Sequence, residues 1–151
     1  MSYWDTSALL KLYVAESDSA AFNSMAATTL KMVSAFIGKH EARTAFRRRE
    51  AEGVLAAGGG DACYQKLVQD VAAGRIELVV ESSALEHEFG NIINQCLSQS
   101  PPVFVRTNDA LHLAAARLAG EAEFYSADRN QRAAAAFLGF IVLPAVYPIP
   151  P

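Results

Sequence analysis

Cysteine is scarce in this chain. Its 151 residues hold two thiols, Cys63 and Cys96, far apart and in no Cys-x-x-Cys or Cys/His array. That excludes a disulfide-stapled scaffold and a zinc module. A chain of this length buries roughly 68–70% of its unfolded surface and needs neither. Long apolar runs are also missing, because charged residues, 19% of the total, interrupt every hydrophobic stretch before it reaches membrane-spanning length. An excess of basic charge is missing too. Thirteen Lys and Arg face sixteen Asp and Glu, for a net charge of −3. That argues against a surface built throughout for a polyanion, although a local basic stripe remains compatible with it. The first residues, Met1-Ser2-Tyr3-Trp4-Asp5, have neither the basic nor the apolar region of a signal peptide. The expectation is reduced thiols in the cytoplasm.

What is present is a core-forming composition: 52% hydrophobic residues is too apolar for a disordered chain. Residues 2–5 read as a short strand, followed by Asp5-Thr6-Ser7, a run of helix-capping oxygens. Helices are expected over 8–15 and from Ser17-Asp18-Ser19 to about 27. A buried strand is expected over 30–33, and Ser34 reads as the cap of a long helix over 35–56. After Gly58-Gly59-Gly60, Asp61 reads as a cap for a helix that Gly74 stops. A strand over 76–80 follows, then a helix to about 97 opened by a Ser83/Glu86 capping box. Pro101-Pro102 separates it from a helix over 108–118.

The last third alternates most clearly. A strand over 123–126, a helix capped by Asp128 and stopped by Gly139, and a strand over 140–143 succeed one another. Such alternation predicts an α/β fold: one domain over 1–147 with a central parallel sheet flanked by helices on both faces, and an extended tail over 148–151.

In a parallel sheet, ligands bind beyond the carboxyl ends of the strands, so acids that follow strands merit attention. Asp5 and Asp128 do so, with helix capping as the ordinary alternative. Glu41 shares its helix face with Ile37, Gly38, Thr44 and Ala45. A carboxylate on so small and apolar a face needs a cation or hydrogen-bond donors if that face is buried. Asp109 lies in the first turn of its helix, where the helix dipole alone would favour it, with Thr107 or Asn108 as the cap. His112, three residues on, reads as a hydrogen-bonded packing residue. Lys39, Arg43 and Arg47 recur every four residues and form either a solvated face or a phosphate-attracting stripe.

Four segments together carry a resemblance: Tyr3-Trp4-Asp5-Thr6-Ser7-Ala8-Leu9-Leu10-Lys11, Glu41 within 34–47, Asn108-Asp109-Ala110-Leu111-His112-Leu113-Ala114, and Ser126-Ala127-Asp128-Arg129. In order and spacing the chain resembles a PIN domain, most of all the VapC toxins of toxin-antitoxin pairs. The resemblance implies an endoribonuclease dependent on Mg2+ or Mn2+ that hydrolyses RNA phosphodiester bonds with a metal-activated water. It implies a homodimer, silenced by a small antitoxin whose tail blocks the acidic pocket. Asp5, Glu41, Asp109 and Asp128 match the family's catalytic, metal-holding quartet, and Thr6 and Ser126 match positions whose hydroxyls support the site. Lys39, Arg43 and Arg47 are then the expected RNA-binding stripe, and the second helix around Phe22 and Met25 the expected dimer surface. All-oxygen donors suit a hard divalent cation.

Two alternatives stand beside this reading. One is a catalytically silent PIN-like module that binds RNA or protein. The other is a phosphatase or phosphoacceptor domain using the aspartate after the first strand, which Asp5-Thr6-Ser7 fits poorly because no second aspartate follows two residues on.

Overall fold

A computed structural model describes residues 1–149. It contains β1 (Ser2–Trp4), α1 (Thr6–Leu10), α2 (Ser19–Thr28), β2 (Met32–Ala35), α3 (Phe36–Ala51), α4 (Gly59–Ala72), β3 (Ile76–Val79), α5 (Ser83–Leu97), α6 (Thr107–Leu118), β4 (Glu123–Tyr125), α7 (Arg129–Phe137) and β5 (Ile141–Leu143). The strands form one parallel sheet in the order β3-β2-β1-β4-β5, so the expected α/β architecture is the observed one. No helix among the described residues is long and apolar enough to cross a membrane. Of the expected tail, Ile149 packs against the core, and residues 150 and 151 lie outside the described residues.

Strand alternation divides the core in two. Tyr3 points to one face, where it stacks on its register neighbour Phe124 with 5.1 Å between ring centroids, among residues of α5, α6 and α7. Trp4 points to the other and stacks on Tyr125 at 4.4 Å, among residues of α1, α2, α3 and α4. Each aromatic pair buries a large apolar area and adds about 0.5–1.5 kcal/mol through ring geometry. The central strand is thus fixed from both sides where it delivers Asp5.

Several local expectations shift. The second strand begins two residues later than read, because Met32 and Val33 pair with Ser2 and Tyr3, while Leu30 is left in solvent. Ser34 therefore lies inside β2 and caps nothing; its buried hydroxyl has no hydrogen-bond partner among the described residues. Helix α1 ends at Leu10, short of the expected 15, and α3 ends at Ala51, short of 56. Gly53, with φ of 74°, closes α3 in a Schellman arrangement: its N–H donates to Glu50 O, and that of Val54 to Arg49 O.

Asp61 lies in the first turn of α4 without capping it; the Glu50 carboxylate accepts from Gly60 N at 2.7 Å instead. Helix α5 is capped by Ser82 in place of the Ser83 box, with Ser82 Oγ accepting from Leu85 N. Helix α6 has Arg106 at its N-cap position and no side-chain cap, so neither Thr107 nor Asn108 serves there. Phe22 is completely buried between Trp4 and Tyr147, which corrects its assignment to a dimer surface: its ring belongs to the core of this chain.

Candidate functional site

The strand order reverses direction between β1 and β4. The chain builds β1, β2 and β3 outward on one side, then returns to place β4 against the other side of β1. A crevice opens at such a switch point beyond the strand ends. Here it is a cleft of about 660 Å³, and Asp5, Glu41, Asp109 and Asp128 all line it, as do Arg48, Arg106 and His112.

Asp5 leaves the end of β1 and caps α1. Its Oδ1 accepts from Ala8 N at 2.9 Å and from Ser7 Oγ at 2.7 Å. Capping and cleft lining therefore coexist in one carboxylate. It is 3% exposed, and burial raises its pKa despite His112, Ser126, Ser7 and the Ala8 N–H, all of which favour the charged form. Ser7 and Ser126 stitch the ends of β1 and β4 together. Ser7 Oγ accepts from Ala127 N at 2.8 Å, and Ser126 Oγ accepts from Asp128 N at 3.0 Å. Ser126 thus supports Asp128 through its backbone, and Ser7 is a supporting hydroxyl that sequence reasoning missed.

Glu41 is held by donors on both oxygens. Oε2 accepts from Thr6 Oγ1 at 2.5 Å and lies 2.9 Å from His112 Nε2, while Oε1 accepts from Asn108 Nδ2 at 2.8 Å. Counting hydrogens fixes one ring proton. Thr6 spends its hydrogen on Glu41, so toward His112 Nε2, 3.1 Å away, it can only accept, and Nε2 carries a proton. On the far side of the ring, Nδ1 is 2.7 Å from Tyr3 Oη, which itself accepts from Ala35 N at 2.9 Å. Tyr3, His112 and Glu41 thus form one continuous hydrogen-bonded chain from the central strand to the cleft. His112 is accordingly a hydrogen-bonded buried residue, and the group it orients is Glu41. Burial alone would raise the Glu41 pKa. The hydrogen bond and charge of His112, with Thr6 and Asn108, outweigh that and hold it at about 2.

Gly38 makes this close approach possible. A Cβ there would lie 3.0 Å from Thr6 Oγ1, 3.1 Å from His112 Cε1 and 3.2 Å from Ser34 Oγ.

Asp109 and Asp128 meet at Arg106. Its Nε donates to Asp109 Oδ2 at 2.6 Å, and its Nη2 donates to Asp109 Oδ1 at 3.2 Å and to Asp128 Oδ2 at 3.0 Å. Asp128 Oδ1 caps α7, accepting from Asn130 N and Gln131 N. Burial would raise Asp128, but those N–H groups and Arg106 prevail and lower it. Buried Gln131 ties the two helices together by donating from Nε2 to Asp109 O at 3.1 Å.

The expected basic stripe lies elsewhere on α3. Arg43 stacks on Tyr64 of α4 at 4.9 Å, Arg47 faces Glu50 and Asp61, and Lys39 lies over Phe36. None of the three lines the cleft; the arginines that do are Arg48 and Arg106.

In chemical terms the cleft fits a hard divalent cation, since its open acidic donors are carboxylate oxygens and His112 is committed to Glu41 and Tyr3. Among the described residues, no three His, Cys, Asp or Glu side chains are drawn together as a ready-made metal cluster. The cation facing Asp109 and Asp128 is a guanidinium. No protein-family model matches the chain, and no curated protein matches it.

Proposed function

We propose that this chain is a metal-dependent endoribonuclease of the PIN type, acting as the toxin of a toxin-antitoxin pair in the cytoplasm. The observation that carries the reading is that four carboxylates from distant parts of the sequence, Asp5, Glu41, Asp109 and Asp128, line one cleft at the strand-order reversal. Four acids around one cleft need positive charge to remain ionised together, and oxygen donors select Mg2+ or Mn2+. The four acids would hold the ion, Asp109 either directly or through water. When bound, a divalent ion supplies Lewis-acid polarisation and charge neutralisation for in-line displacement at phosphorus.

The protein's own groups divide the remaining work. Thr6, His112 and Asn108 keep Glu41 charged and fixed in direction. Ser7 and Ser126 lock the β1 and β4 ends so that Asp5 and Asp128 keep their spacing. Arg48 at the cleft wall offers positive charge to an RNA phosphate. The partners that follow are an RNA substrate, a second copy of the chain and a small antitoxin protein whose tail closes the acidic cleft.

The test is cleavage of single-stranded RNA by purified protein treated with chelator and then given Mg2+ or Mn2+. Activity lost and restored supports the proposal, and metal-independent cleavage rejects it. The second reading, a silent RNA- or protein-binding module, draws support from Arg106 standing between two of the acids. RNA binding without cleavage or ion uptake would select it.

A further inference from the structure

Asp109 lies in the first turn of α6 and Asp128 caps α7, yet their carboxylates share a single nitrogen, Arg106 Nη2. Two carboxylates that close repel unless a cation stands between them, and the planar fork of arginine suits the role. The three side chains are not equally fixed. Arg106 is 66% exposed, against 14% for Asp109 and 33% for Asp128. Asp128 stays bound through Oδ1 to the start of α7, and Gln131 holds the backbone carbonyl of Asp109. The acids are the anchored part and the arginine side chain the movable one. Rotating it into solvent frees both Asp109 oxygens and Asp128 Oδ2 while the cap and the Gln131 bond stay made.

We propose that Arg106 is a built-in counter-cation of the acidic cleft, holding the place between Asp109 and Asp128 in the metal-free protein and yielding it to a divalent ion. The inference rests on the proposed divalent-ion site. Loading becomes an exchange of one cation for another, so the intrinsic affinity of the acids is reduced by the strength of the arginine pairing. In return, the metal-free protein avoids bare like-charge repulsion.

The experiment is calorimetric titration of Mn2+ into the metal-stripped full chain, for wild type, R106Q and R106K at one ionic strength, with thermal melts of each with and without Mn2+. R106Q is expected to bind Mn2+ about three- to tenfold more tightly, the scale of a partly exposed ion pair. It is also expected to melt lower than wild type without metal and to gain the larger shift on Mn2+ addition. R106K, which keeps the charge but loses the fork, falls between the two. If R106Q does not melt cooperatively, R106K decides alone, and an affinity no tighter than wild type overturns the inference. Wild-type uptake with R106Q unchanged or weaker overturns the inference and leaves the proposed ion site standing. No uptake by any cooperatively folded variant overturns both.

Discussion

The hydroxyl of Tyr3 on the central strand meets Nδ1 of His112 on α6 at 2.7 Å, linking residues 109 positions apart inside the core. Beyond the ring, Nε2 reaches Glu41, so the orientation of a cleft carboxylate is set from the first strand. An aromatic residue that composition alone assigns to packing thereby also governs a polar network.

Tyr3→Phe removes that hydroxyl and leaves His112 Nδ1 and Ala35 N without partners in a fully buried setting. Leaving buried polar groups unpaired costs about 1–3 kcal/mol. Urea denaturation is expected to show a loss of that size. A loss within experimental scatter would mean that the hydroxyl holds nothing in place.

Gly38→Ala pits two effects against each other. Alanine gains about 1 kcal/mol of helix propensity, but its methyl meets Thr6, His112 and Ser34 at 3.0–3.2 Å, and overpacking costs about 1–3 kcal/mol. The expected outcome is net destabilisation together with reduced RNA cleavage, because the crowded groups are those that hold Glu41. A stabilised and fully active variant would show that the pocket yields freely.

The acid limb of stability should carry the signature of Glu41. Its folded pKa of about 2 lies below the ordinary value of 4.5, so its contribution is present above 4.5 and is lost as pH falls toward 2. That contribution is of order 1–3 kcal/mol. Denaturation of wild type and Glu41→Gln at pH 7 and pH 3 should show the wild type losing more stability on acidification. Equal losses would mean that the donors around Glu41 do not favour its charge.

Asp5 has the opposite sign. Burial raises its pKa, so its charged form costs stability once pH rises past the unfolded value of 3.8. Asparagine keeps the cap and removes the charge. Metal-free Asp5→Asn should melt at or above the wild-type temperature at pH 7, and with Mn2+ added it should cleave no RNA. A large drop in melting temperature would reduce Asp5 to a cap, and full cleavage would remove it from the chemistry.

Much of this site was legible because acids after parallel strands have few places to go. Asp5 and Asp128 follow β1 and β4, which the topology makes neighbours. Other features depended on tertiary pairing. Ser34 reads as a cap until Val33 is seen opposite Tyr3, which draws Ser34 into the strand. The role of Ser7 needs Ala127 N, 120 residues away. Lys39, Arg43 and Arg47 recur every four residues, but Arg43 and Arg47 face α4 and Lys39 lies over Phe36, whereas Arg48, seven residues beyond Glu41, shares the Glu41 face. Arg106 likewise stands three residues before Asp109, the spacing of a helical ion pair.

The proposed function requires the four acids to serve one ion. Titrating Mn2+ into isotope-labelled, metal-stripped protein and following paramagnetic line broadening tests it most directly. At the lowest additions, the signals of Asp5, Glu41, Asp109 and Asp128 and of their immediate neighbours should broaden together, ahead of every other acidic residue. Broadening scattered over the surface acids, with the cleft signals unchanged, would contradict it.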